Sequence, residues 1–262
     1  MIHAHRVSLD DVQLDEIDGR IVILGITEDT GKDTINAVAR AADGNRVTGE
    51  RRDSLDVAVN FGILERRRGM AEREKVLEKV NAWAAGGGWL RINYKEDRRL
   101  RVRLVQAPGA GEPWDWANPY TLVFRAYGIP FWQKETPASL TTGATSNGSV
   151  QLPVEGSART VCNVTLENAS GALIQNATIS AAGQTMTFQG LGLGGNESLV
   201  IDHDAEGLLR IRIRNGNNYR SAMATRTPAS ADDLVVKPGT VAVSFTAQRA
   251  CRMTASCRAR FL

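Results

Sequence analysis

Histidine and cysteine are scarce in this chain, with three of each in 262 residues. Cys162, Cys251 and Cys257 are too few and too scattered for a disulfide framework or a zinc site. All three fall in strand-like segments, where buried free thiols are expected. No stretch approaches the roughly 18 apolar residues that a membrane helix needs. The opening residues, Met-Ile-His-Ala-His-Arg, reach Asp10 and Asp11 without an apolar run, so no secretory signal is expected. An excess of one charge is also missing. A formal net charge of +3 does not make the concentrated basic face of a general phosphate-backbone binder. A soluble chain made in a reducing cytoplasm is expected.

Tryptophan is missing from the second half, since all five lie between Trp83 and Trp132. Residues 1–142 carry 21 Lys+Arg and 21 Asp+Glu, whereas residues 143–262 carry 11 and 8, with Gly, Ser, Thr and Asn between them. Two such different compositions imply two separately folded domains, and the length suits two of about 130 residues. The expected boundaries are a first domain at 1–134, a Thr/Ser/Gly-rich linker at 135–148, and a second domain at 149–262.

Alternation dominates the first half. Leu55, Val57, Val59, Phe61 and Ile63 share one face against Ser54, Asp56, Ala58 and Asn60, the pattern of a half-buried strand. The apolar run from Arg20 to Ile26 reads as a central strand. Between these two, residues 27–52 are polar and have almost no core-forming content. So long an insertion, when ordered, usually has a partner to touch, and it reads as an extended arm or hairpin. One helix is expected at 70–85, where Val76, Leu77, Val80, Trp83 and Ala84 form a single apolar stripe and Gly86-Gly87-Gly88 stops it. A hairpin follows, with Leu90, Ile92 and Tyr94 alternating on one arm and Leu100, Val102 and Leu104 on the other. The second half reads as eight short strands: 149–154, 160–167, 173–181, 184–189, 198–202, 208–214, 241–247 and 251–261. Without helices, these make an antiparallel sandwich. The fold class is therefore all-β with one α-helix.

Motifs that carry chemistry are weak. Gly190, Gly192 and Gly195 match a dinucleotide fingerprint, but Leu199-Val200-Ile201 follows as a strand where a helix is required. Gly25 to Lys32 is one residue too long for a phosphate loop, and Asp33 stands where a Ser or Thr should hold magnesium. His3 with His5, and His203 between Asp202 and Asp204, each lack a third metal ligand. No Gly-x-Ser-x-Gly elbow appears, and no pair of carboxylates stands out. The five Asn-x-Ser/Thr sites, at Asn147, Asn163, Asn168, Asn176 and Asn196, reflect sandwich composition. No catalytic, cofactor or metal residue is expected, and the chain does not read as an enzyme. Two basic groups remain, Arg66-Arg67-Arg68 and the alternating Arg99, Arg101 and Arg103. The second group projects to one face of a strand, where it meets solvent or the acidic surface of a neighbouring subunit; nucleic acid is a third reading, opposed by Glu65, Glu72, Glu74, Glu96 and Asp97 close by.

The order of elements in the first half is a terminal strand, a polar arm, a strand, a helix ending near Trp83 and the hairpin 90–104. It closes on Tyr120-Thr-Leu-Val-Phe-Arg-Ala-Tyr-Gly-Ile-Pro-Phe-Trp132, ending in Ile129-Pro130-Phe131-Trp132, with an aliphatic residue before the proline and two aromatics after it. The second half adds Leu199-Val-Ile-Asp202 and Leu234-Val-Val-Lys-Pro-Gly-Thr240, followed by a strand pair. This resembles the distal tail protein (Dit) family of long-tailed siphophages, although Thr240-Val241 stands where members often carry Asn after the turn. The resemblance implies an N-terminal β-sandwich or split-barrel ring domain with an extended arm, followed by a galectin-like antiparallel β-sandwich. It further implies a homohexameric ring at the virion tail tip, assembled in the host cytoplasm. Its partners would be itself, the tail tube protein, the tail-tip hub protein and, in some phages, a receptor-binding protein. DNA would only pass through the channel, and no membrane is involved. The arm at 27–52 would grip the adjacent subunit, with Arg66, Arg67, Arg68, Arg99, Arg101 and Arg103 at the subunit interface. A carbohydrate-binding module built on the second domain is the alternative. It is opposed by the lack of Trp and the single Tyr219 in residues 143–262.

Overall fold

Period-two alternation becomes paired strands throughout the first half of the chain. The structure, a computed structural model, describes residues 5–29, 32–39, 45–64, 70–109 and 119–262. It divides into two compact units, Met1–Trp132 and Gln133–Leu262. First come β1 (Val7–Leu9), β2 (Val12–Gln13), α1 (Leu14–Ile17), β3 (Ile21–Glu28), β4 (Lys32–Ala39) and β5 (Asn45–Ile63). They are followed by α2 (Met70–Ala85), β6 (Gly88–Ile92), β7 (Arg98–Gln106) and β8 (Tyr120–Ala126). Hydrogen-bonded neighbours run β2-β1-β6-β7-β8-β5-β3, antiparallel throughout.

One face of this sheet is the core. Val57 lies opposite Phe124, Val59 opposite Leu122 and Phe61 opposite Tyr120, and all six are buried. α2 closes that face with Val76, Leu77, Val80 and Ala84 buried, and Trp83 meets Phe124 edge-on at 6.1 Å between ring centroids. Fully burying each large apolar side chain contributes about 1.5–3 kcal/mol, so this stripe fixes the helix on the sheet. Gly87 ends the helix at φ +62 with its N–H on the Ala84 carbonyl. A Cβ at Gly87 would collide with the Val102 carbonyl oxygen, so only glycine lets the chain turn there.

Two features depart from the sequence reading. The run at 20–26, expected as a central strand, ends the sheet as β3, with β5 as its neighbour among the described residues. Only Ile21 is buried there, while Val22 to Ile26 are half-buried. A register shift between Ile23 and Gly25 bends this strand, a common way to blunt a sheet edge. The one-turn helix α1 was not expected. It starts at Gln13, whose backbone N–H is reached by the Glu16 side chain, and it buries Leu14.

The second unit is built from β9 (Trp132–Lys134), which straddles the division, β10 (Ala138–Thr141), β11 (Thr145–Val154), β12 (Thr160–Asn168), β13 (Ala177–Ala181) and β14 (Gln184–Phe188). Then come β15 (Ser198–His203), β16 (Leu209–Asn215), β17 (Asn218–Ser221), a 3-10 turn at Met223–Thr225, β18 (Val235–Val236), β19 (Gly239–Cys257) and β20 (Arg260–Phe261). The order is β14-β13-β19-β12-β15-β16-β17, with β10 and β11 also on β19. β19 is the spine. Its first half pairs with β13 and β11, and its second half with β12 and β10. Residues expected as two strands, 241–247 and 251–261, are thus one strand of 19 residues that changes partners along its length, followed by a short β20. Ile179, Met186, Phe188 and Phe245, around the first half of β19, share a core with Val164, Leu199, Ile211 and Met253, around its second half.

The expected linker at 135–148 contains β10 and the start of β11. Its Thr/Ser/Gly composition belongs to largely exposed strands, held by backbone bonds to β19 with few buried side chains. No helix among the described residues is long and apolar enough to cross a membrane.

Candidate interaction surfaces

Within the polar segment at 27–52, the described residues form two paired antiparallel strands. β4 pairs with the first half of β5, from Lys32 opposite Ser54 to Ala39 opposite Asn45, with two register shifts. Apolar alternation on β5 begins only at Leu55, so the strand leaves the core before that point while its hydrogen-bond ladder continues. Thr34, Ile35 and Ala37 are exposed, Ile35 by 60%, and the Thr34 hydroxyl donates to Asp53. Residues 27 and 28, expected in the arm, belong to the body as the end of β3, paired with Ala58 and Val57.

Glu28 is the foot of that arm. Its carboxylate accepts the Trp132 indole N–H at 2.8 Å, pairs with Lys95 Nζ at 3.1 Å, and accepts from the Tyr94 hydroxyl at 3.4 Å. Lys95 also sits over the Trp132 ring at 4.8 Å. Burial, joined by the facing Glu28 carboxylate, raises the Tyr94 phenol above its ordinary pKa. Beside this cluster the Arg52 guanidinium lies 5.3 Å over Phe131. Phe131 and Trp132 therefore pack against the base of the arm. Sequence reasoning noticed both segments and missed their contact, because 104 residues separate Glu28 from Trp132.

Arg99, Arg101 and Arg103 lie on one face of β7, as their spacing predicts. Arg101 stands opposite Trp89, and Arg99 stacks on that indole at 4.0 Å with Arg101 at 5.8 Å. Arg103 lies opposite Arg125. Arg125 forms a bidentate pair with Asp56 at 2.6 Å for both bonds, which holds its guanidinium still more firmly protonated. The face is therefore an arginine array with a tryptophan platform, on the side of the sheet away from α2. Glu72 and Glu74, close in sequence, ride on the helix and so belong to the opposite side. Trp89 was legible in principle, since a hairpin that pairs Leu90 with Leu100 must pair Trp89 with Arg101. Arg66, Arg67 and Arg68 lie outside the described residues.

The remaining candidates have structural partners. The Gly190–Gly195 pattern is a loop between β14 and β15. His203 is half-buried, its covered ring held between Asn163 Oδ1 at 2.9 Å and Asp233 Oδ1 at 2.8 Å. His5 approaches the Tyr94 ring at 6.0 Å, and His3 lies outside the described residues. No group of three His, Cys, Asp or Glu among the described residues could hold a metal ion. Tyr219 is exposed with Arg212 over its ring at 4.7 Å, Phe188 and Phe245 are in the core, and Phe261 is half-buried.

Two solved structures share this architecture over essentially its full length. The crystal structure of the SPP1 Dit protein, described as a paradigm of the hub adsorption apparatus in phages that infect Gram-positive bacteria, superposes with a TM-score of 0.67. That match is 14% identical and covers 98% of this chain and 99% of the other. The chain has the Dit fold. A chain of the phage P2 baseplate in its activated conformation with Ca matches at a TM-score of 0.52, 9% identity and 99% and 98% coverage. No family model matches the sequence. No curated protein matches it either. At such identities the likeness is one of fold.

Proposed function

We propose that this chain is a structural component of a siphophage tail tip, a distal tail protein that assembles into a homohexameric ring. In this reading the first units form the ring around the DNA channel, continue the tail tube and dock the tail-tip hub protein below. The second units face outward, where a receptor-binding protein attaches in some phages. The virion tail tip is the site of action, and the role is mechanical, with no reaction to catalyse.

The observation that carries the reading is the hairpin within a full-length Dit fold. A closed ring of identical subunits needs a heterologous contact, and an arm with no core of its own supplies one side of it. The exposed Ile35 gives that arm an apolar contact point, and Arg66 to Arg68 with Arg99, Arg101 and Arg103 supply charge for the facing subunit. The test is native mass spectrometry with negative-stain imaging of the purified chain. The expected particle is a six-fold ring of six times the 28.4 kDa subunit mass. A monomer at every concentration, in the presence and absence of the hub and tube proteins, overturns the proposal.

A further inference from the structure

Cys162 on β12 lies directly opposite Cys257 on β19. The Cys162 N–H donates away from β19, to the Leu234 carbonyl at 2.8 Å. In a regular antiparallel strand the N–H and C=O of one residue point to the same side, so Cys162 and Cys257 form a non-hydrogen-bonded pair. At such positions the Cα atoms approach to about 4.5 Å, inside the roughly 4.4–6.8 Å that a disulfide spans. Both side chains point into the core, with 0% and 1% exposure. Cys251, six residues before Cys257 on the same strand, is about 20 Å away along it and cannot take either place.

Cys257 also lines a cavity of about 160 Å³, together with Lys134 and Glu155. Those two side chains pair at 2.7 Å and are partly exposed, Glu155 at 60%. Cys257, although only 1% exposed, is thus the end of the pair that borders open space.

We propose that Cys162 and Cys257 are an oxidation site that closes to a cross-strand disulfide between the two central strands of the second unit, with a small peroxide as oxidant. The Cys257 thiolate attacks hydrogen peroxide, the O–O bond breaks, and a sulfenic acid and one water result. The Cys162 sulfur then attacks the Cys257 sulfur, the S–O bond breaks, and a second water leaves with the remaining thiol proton. Two thiols lose two electrons and one peroxide gains them. The reaction is slow at neutral pH, because burial pushes Cys162 up to about 12 and Cys257 up to about 11, and the thiolate is the nucleophile. On the tail-tip reading the chain leaves a reducing cytoplasm for an oxidising exterior when the host lyses. The chemistry itself does not depend on that reading.

The test uses the reduced, full-length protein exposed to hydrogen peroxide, then unfolded, alkylated and mapped by mass spectrometry. The expected product has lost two of its three thiols, contains a Cys162–Cys257 cross-linked peptide and keeps Cys251 alkylated. Its Tm rises by roughly 5–15 °C and returns with dithiothreitol. The rate of thiol loss climbs about tenfold per pH unit from 7 to 10. Cys251→Ser should give the same two-thiol loss. Three alkylated thiols after native exposure overturn the proposal, as does a bridge through Cys251 or sulfinic acid at Cys257 with Cys162 still free. Because the wild-type map decides the matter alone, it stands even where a Cys162→Ser chain fails to fold.

Discussion

The indole N–H of Trp132 donates to the Glu28 carboxylate across 2.8 Å, joining the last residue of the first unit to the foot of the hairpin. Glu28 also carries the ion pair to Lys95, and both side chains are mostly covered, at 22% and 17% exposure. Glu28→Ala should therefore lower the stability of the first unit by roughly 1–3 kcal/mol, because it leaves a half-buried ammonium and an indole N–H without their acceptor. Urea unfolding followed by tryptophan fluorescence measures this. Amide exchange over 32–39 should accelerate in the same variant.

Removing the hairpin separates folding from assembly. Deletion of residues 30–48 takes away no buried apolar side chain of the described core, so both units should remain folded by circular dichroism. The particle should shift from ring to monomer in sedimentation. Ile35→Asp should do the same more mildly, with a change in stability below about 0.5 kcal/mol, as is usual for an exposed site. A deletion variant that still closes into rings removes the arm from the interface.

Charge reversal tests the arginines. Replacing Arg66, Arg67 and Arg68 with Glu should weaken assembly, and added salt should then strengthen it rather than weaken it, since like charges across an interface repel and salt screens the repulsion. Arg101→Glu should act in the same direction and also lose its stacking on Trp89. Sedimentation at two ionic strengths reads both effects. Unchanged assembly assigns these side chains to solvent.

Asp18 supplies a pH signature. Its carboxylate accepts two bonds from Arg20, at 2.8 and 2.9 Å, and pairs with Lys79 at 3.2 Å. The Arg20 bond is the largest cause holding its carboxyl well below the usual carboxylate range, against desolvation. A depressed folded-state pKa stabilises the fold above the unfolded value of about 3.9 and ceases to do so as pH falls through the folded value. Asp18→Asn should thus be less stable than wild type at pH 7, with the gap closing progressively below about pH 4. Thermal unfolding of both chains across that range checks the sign.

Local periodicity made much of this fold legible. The buried set Leu55 to Ile63, the helix at 70–85 and the hairpin 88–106 all follow from which residues repeat at two or at three to four. The misreadings arose where composition was taken for conformation. Thr and Ser at 138–148 look like a tether, yet backbone pairing to β19 needs no apolar side chain. Gln248, Arg249 and Ala250 look like a break, yet β19 runs through them because each half has its own partners. The Glu28–Trp132 contact carries no local signal, since only the folded sheet brings those two residues together.

β5 extends as one strand of 19 residues from the hairpin into the body, about 60 Å of uninterrupted extended backbone. Its inner half is clamped on both flanks by β3 and β8, and its outer half only by β4. A load applied at the tip therefore travels lengthwise and must shear two ladders at once to move the strand, which is the stiffest way to pull on a sheet. With no break between the two halves, the arm behaves as a cantilever rooted at Leu55 and Val57, and any tilt imposed on its outer half is felt first at their cross-strand partners Ala126 and Phe124.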